Sequence, residues 1–230
     1  MKRLQEQQET IMYLSRLLHN HTRKGDAEKR TLVFTAPVKH LNNSKYEKET
    51  IYKNVHRTLY EKLKPHDNII CSMFIASDVE ASRQGYIPND VLLKPIIPHY
   101  HGVIVFHKHV WERISINLSY WQDVISSSVS EVLDDEDVDD DNRFKKSIWI
   151  EQFDESKVRY AKHRLPLGNY TSYAMKSHLQ ANSRGIMLHE PSVFPFDIYN
   201  SEEDARSANN LFNDLWKQQV SYNKSHKYCY

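Results

Sequence analysis

The sequence predicts an α/β or α+β sandwich, one sheet with helices packed on it. Three observations carry this. Short runs rich in β-branched and aromatic residues recur at Thr31–Ala36, Asn68–Ala76, His99–Phe106 and Ser147–Phe153. Stretches with apolar residues at helical spacing lie between and around them. The chain has 230 residues, 40% hydrophobic and 27% charged, the balance of a globular protein able to bury a core.

Taken in order, residues 1 to about 20 form an amphipathic helix with Leu4, Ile11, Leu14 and Leu18 on one stripe, broken at Thr22-Arg-Lys-Gly25. The first strand ends at Pro37, which biases Ala36 to an extended backbone. Tyr46 to Leu63 is helical, its Ile51, Val55, Leu59 and Leu63 spaced by four. The second strand leads into a long loop, Ala81 to Pro98, with Gly85, Pro88 and Pro95. A helix from about Trp111 to Leu133 follows the third strand, and Asn169 to Ala181 forms another, its start marked by Pro166 and Gly168. Ser201-Glu-Glu-Asp204 resembles a capping box, and Ala205, Ala208, Leu211, Leu215 and Trp216 give the last helix its apolar face.

The net charge of +1 hides an uneven distribution. Asp134 to Asp141 holds seven carboxylates in eight residues, which reads as a solvated loop, and setting those seven aside leaves the rest of the chain at +8. A basic body is compatible with a polyanionic partner. Cys71 and Cys229 are far apart and lack C-x-x-C spacing, which argues against a disulfide framework or a thiolate zinc site. No apolar run reaches membrane-spanning length, and the N-terminus lacks the apolar core of a signal peptide. The expectation is a cytoplasmic protein. The five glycines never show the spacing of a phosphate-binding Walker loop.

The most informative stretch is Pro98-His-Tyr-His-Gly-Val-Ile-Val-Phe106. Strand side chains alternate, so His99 and His101 point to one face and can share a cation. By the same alternation His107 and His109 share that face, but too far along the strand to serve the same ion. A polar strand end is the simpler reading for them.

Three segments occur in order: Leu32-Val-Phe-Thr-Ala-Pro37, His99-Tyr-His-Gly-Val-Ile-Val-Phe106 and Tyr173-Ala-Met-Lys176. Together they resemble the motifs of the HUH endonucleases, specifically the rolling-circle replication initiators of small plasmids, phages and single-stranded DNA viruses. The resemblance spans residues 31–181. It leaves 1–30 as an N-terminal helical extension and 182–230 as a C-terminal one, which would pack on the sheet, dimerise or read duplex DNA. It implies an RRM/ferredoxin-like core, a central antiparallel sheet of about five strands with flanking helices. It also implies site-specific nicking of one DNA strand through a covalent 5′-phosphotyrosine, leaving a 3′-OH to prime synthesis.

Under that resemblance Tyr173 is the nucleophile, and Lys176 neutralises charge at the phosphate from the same helical face. His99 and His101 hold Mg²⁺ or Mn²⁺, hard ions that call for an oxygen ligand as well. The family position matches Glu80 best, with Asp78 a rival of the same strand parity. Thr35 and Tyr170 are candidate DNA contacts, with strand formation and packing the plainer readings. Tyr170 lies three residues from Tyr173, not the four of two-tyrosine members, so a two-tyrosine mechanism is not supported. Tyr160, the other tyrosine with a nearby lysine, has the wrong spacing, and Arg159, Lys162, His163 and Arg164 are a basic run that is more often a solvated face.

The implied partners are single-stranded origin DNA, a hairpin or stem-loop, and a host helicase and polymerase. A transposase or mobilisation relaxase shares this chemistry, although relaxases carry the tyrosine before the histidines. A noncatalytic RRM-like nucleic-acid-binding module is a different class, and it lacks here the usual aromatic pattern. A phosphoesterase that attacks with metal-activated water would leave Tyr173 without a role.

Overall fold

A computed structural model describes residues 2–21, 26–38, 45–65, 70–78, 98–133, 148–158, 161–179, 190–198 and 201–226. Five strands form one sheet: β1 (Thr31–Pro37), β2 (Cys71–Asp78), β3 (His99–Phe106), β4 (Trp149–Gln152) and β5 (Ser192–Phe194). Their order is β4-β1-β3-β2-β5, and every pairing is antiparallel. Among the described residues six helices flank it: α1 (Lys2–Leu18), α2 (Lys45–Leu63), α3 (Lys108–Ile114), α4 (Leu118–Leu133), α5 (Pro166–Ala174) and α6 (Glu202–Ser225). This is the α+β arrangement that the sequence predicts.

Both faces of the sheet are covered, which explains why β3 reads as an almost unbroken apolar run. Leu32, Phe34, Met73, Ile75, Tyr100 and Ile104 face α2, α3 and α4. Val33, Phe74, Ala76, Val103 and Val105 face α1, α5 and α6. The alternation continues to the end of each central strand, so Thr35, Asp78, His99 and His101 fall on the second face. Register then gathers them, because Thr35 and Ala76 both pair with His101, while Pro37 and Asp78 both pair with His99.

Gly102 sits at the centre of this sheet beneath the ring of Phe34, whose Cε1 would lie 1.8 Å from a Cβ at position 102. Alanine there must displace an aromatic ring in a close-packed layer. Gly102→Ala is expected to cost at least ~2 kcal/mol of stability. Phe34→Leu in the same chain should return part of it, read as urea midpoints of the two single variants and the double one.

Several expected elements are refined. The strand ends at Phe106, so His107 and His109 do not continue its alternation. His107 is the residue before α3, and His109 lies on that helix, exposed. The helix expected over 111–133 is two helices, joined by a 3₁₀ turn at Ser115–Asn117. The helix expected from Asn169 begins at Pro166, whose fixed φ suits a first helical turn. Ser201 caps α6 as expected, its Oγ accepting from the Asp204 N–H at 3.1 Å.

The segments outside the resemblance pack on the sheet. Ile11, Leu14 and Leu17 of α1 meet Ala208, Leu211 and Leu215 of α6 over the face that also holds α5. β5, from the C-terminal segment, pairs with β2. A buried amide chain joins α1 and α6. Asn223 Nδ2 donates to Gln7 Oε1 at 2.9 Å, and Gln219 Nε2 donates to Asn223 Oδ1 at 3.0 Å. Gln7 and Gln219 also hold the strand of chain before α5, donating to the Lys162 carbonyl at 2.9 and 3.1 Å.

Candidate metal centre

Asp78, His99 and His101 converge at the end of β2 and the start of β3. His101 Nε2 lies 3.2 Å from His99 Nε2 and 3.2 Å from Asp78 Oδ2, and His99 Nε2 lies 3.4 Å from the same oxygen. Donors about 2.1 Å from one ion, at right angles to each other, are ~3 Å apart. The three spacings therefore suit neighbouring positions around one divalent cation. Their chemistry suits it as well, since imidazole favours borderline ions and carboxylate favours hard ones. Asp78 and His101 are buried, His99 is partly so, and the cluster can hold a metal ion.

The surroundings prepare it for that use. Thr35 Oγ1 is 3.2 Å from His101 Nδ1, across the β1–β3 ladder. When Nδ1–H donates to this hydroxyl, the Nε2 lone pair faces the cluster. Burial pushes the His101 imidazole towards its neutral, ligating form, and the hydrogen bond to Asp78 opposes that only in part. Asp78 is fully buried and accepts from Ser177 Oγ at 2.5 Å on one oxygen and from Lys176 Nζ at 2.9 Å on the other. Tyr100, between the two histidines, points to the opposite face, where its hydroxyl donates to Glu47.

The tyrosine segment docks directly on this cluster. The Tyr173 ring meets the His101 ring edge-on, with centroids 5.3 Å apart, and Lys176 Nζ lies 4.9 Å from the centre of the same ring. Tyr173 is only half-buried. α5 stops at Ala174, and Met175 leaves helical geometry before a further helical turn over 176–179. Tyr173 and Lys176 are therefore not on one continuous helix, yet Tyr173 packs on His101 and Lys176 pairs with Asp78. His178 anchors this turn to α1, its Nε2 lying 2.7 Å from Glu9 Oε1.

Each predicted site residue can now be placed. His99, His101, Tyr173 and Lys176 come together. Glu80 lies outside the described residues, and the carboxylate that the described chain brings to the histidines is Asp78. Thr35 touches a histidine of the cluster. Tyr170 is buried, packing on Phe153 with ring centroids 6.0 Å apart, which is the plainer of its two readings. Ser177 was not foreseen, although its place directly after Lys176 is the signal that could have found it. Arg159, Tyr160 and the acidic run 134–141 lie outside the described residues.

Within the basic run, His163 is buried and not part of a solvated face. Asn169 Oδ1 accepts from the Lys162 and His163 N–H groups at 2.5 and 2.9 Å, fixing the turn into α5. Burial holds the His163 imidazole down to about 4, from 6.5. Its Nδ1 has no hydrogen-bond partner among the described residues. Between pH 6.5 and 4 the unfolded chain thus binds a proton that the folded chain refuses. Stability is full above that window and falls as pH drops through it, by on the order of 3 kcal/mol at most. His163→Leu should flatten this limb, measured as the difference between urea midpoints at pH 7 and in mild acid. An unchanged limb would assign the acid sensitivity to other groups.

No family model, curated protein or solved structure matches this chain. No described helix is long and apolar enough to cross a membrane.

Proposed function

We propose that the protein is a metal-dependent, single-tyrosine DNA-nicking enzyme of the rolling-circle initiator kind. The observation that carries this reading is the placement of Tyr173 and Lys176 against the Asp78–His99–His101 cluster. A phenol, an ammonium and a metal-binding triad on one face are the parts that phosphodiester transesterification needs.

Asp78, His99 and His101 would hold the cation. Mn²⁺ satisfies both donor types, and Mg²⁺ is the harder alternative. When bound, the ion supplies Lewis-acid polarisation of the scissile phosphate. Tyr173 attacks phosphorus, a Tyr–O–P bond forms, and the bond from phosphorus to the 3′ oxygen breaks. The phenolic proton is lost and the departing 3′ oxygen gains one, so the products are a 5′-phosphotyrosine and a 3′-OH. Lys176 offsets negative charge beside the phenolate and the phosphate. Thr35 and Ser177 orient His101 and Asp78, so that the cluster is set before DNA arrives. The substrate in this reading is single-stranded DNA at a replication origin, with a helicase and a polymerase supplied by the host.

The test is incubation with a library of single-stranded oligonucleotides covering its own replicon, with Mn²⁺, followed by denaturing electrophoresis. A protein band shifted by DNA, lost with EDTA, supports the proposal. Free cut products without an adduct would point to metal-activated water, and no cleavage at all would favour a noncatalytic binding module.

A further inference from the structure

We propose that Trp149 is the stacking platform for a base next to the phosphodiester held at the metal cluster. This rests on the nicking reading above and names a substrate contact that it does not include. β4 is the edge strand nearest β1, and Trp149 pairs with Thr35, which pairs in turn with His101. Trp149, Thr35 and His101 therefore form one row across three strands, and residues in such a row share a sheet face. The opposite parity of Ile150 agrees, since it packs into the layer of α2, α3 and α4.

Two strand spacings separate the backbones of Trp149 and His101 by ~10 Å. That is within reach of the nucleotides flanking one phosphate. The indole is 46% exposed, whereas Trp121 of the same chain is 9% exposed. Among the described residues neither hydrophobic layer of the sheet includes this ring. Single-stranded nucleic acids are held by such rings, because every base has a stackable face. The next outward residue on that face, Glu151, is paired with Lys157 at 2.6 Å, so its carboxylate is screened from an incoming phosphate backbone.

The test uses the full chain carrying Tyr173→Phe, which prevents turnover, with Mn²⁺ and two fluorescein-labelled probes. One is a fifteen-nucleotide oligothymidylate, and the other is an abasic deoxyribose-phosphate oligomer of equal length. Adding Trp149→Ala should weaken oligothymidylate binding ~5- to 100-fold, the worth of one stacked base, and leave the abasic probe unaffected. Trp149→Phe should restore most of the affinity. Thermal melting of each variant checks that the exposed edge position leaves the fold intact. Unchanged oligothymidylate affinity in Trp149→Ala, or equal losses on both probes, would overturn the stacking role while leaving nicking standing. A parent that binds neither probe would also overturn the stacking role, while the nicking reading stands or falls on the adduct assay with its own replicon strands.

Discussion

Tyr173→Phe is expected to abolish the covalent protein–DNA adduct and to slow strand cleavage by on the order of 10⁴-fold or more, the scale of losing a nucleophile. Only the hydroxyl is removed. The ring keeps its edge contact with His101 and its place beside Lys176, so metal affinity and melting temperature should stay close to those of the parent. Tyr170→Phe is the matched control. That ring is buried on Phe153, and its loss of a hydroxyl should leave cleavage within a few-fold of the parent. Cleavage that survives in Tyr173→Phe without a protein–DNA adduct would make water the nucleophile, and with an adduct would move the nucleophile to another residue.

The second large effect concerns the cation. His101→Ala removes one donor of a three-donor cluster and should lower Mn²⁺ affinity by ~10²-fold or more in calorimetric titration, given that outer-shell losses alone reach this range. Asp78→Asn keeps the shape of the side chain and an acceptor for Ser177, but removes the charge that faces both imidazoles and Lys176. Its affinity should fall comparably. Thr35→Val leaves every donor in place and loses only the contact to His101 Nδ1, so a ~10-fold loss is expected. Glu80→Gln is the matched variant for the rival carboxylate, and an unchanged affinity there is expected if Asp78 is the third ligand. Wild-type affinity in Asp78→Asn together with a loss in Glu80→Gln would reverse the assignment of the third ligand.

Period-two alternation alone puts His99 and His101 on one face, whereas Thr35 joins them only through the β1–β3 register. Alternation does not choose between the two candidate carboxylates, because Asp78 and Glu80 share a parity, and Asp78 is the one that lies among the described residues. The strand runs through Asp78, whose register partner is His99, and that pairing is a tertiary fact without a local signal. Tyr173 and Lys176 lie together as their spacing suggests, but not on the one helix that the sequence suggests. The helix breaks at Met175, Lys176 pairs with Asp78, and Tyr173 packs on His101. β5 is three residues long, too short to show alternation, and forms only because the exposed edge of β2 accepts it. His107 follows β3 directly in sequence but caps a helix in space, where tertiary packing overrides a short periodic pattern.

Direct mapping of the adduct tests whether Tyr173 is the nucleophile. After incubation with Mn²⁺ and cleavable single-stranded DNA, trypsin releases Leu165–Lys176, which carries both Tyr170 and Tyr173. Fragmentation of that peptide should place a 5′-linked nucleotide phosphate on Tyr173. An adduct on Tyr170 or on any other residue, or nicked DNA ending in a free 5′-phosphate with an unmodified peptide, would contradict it.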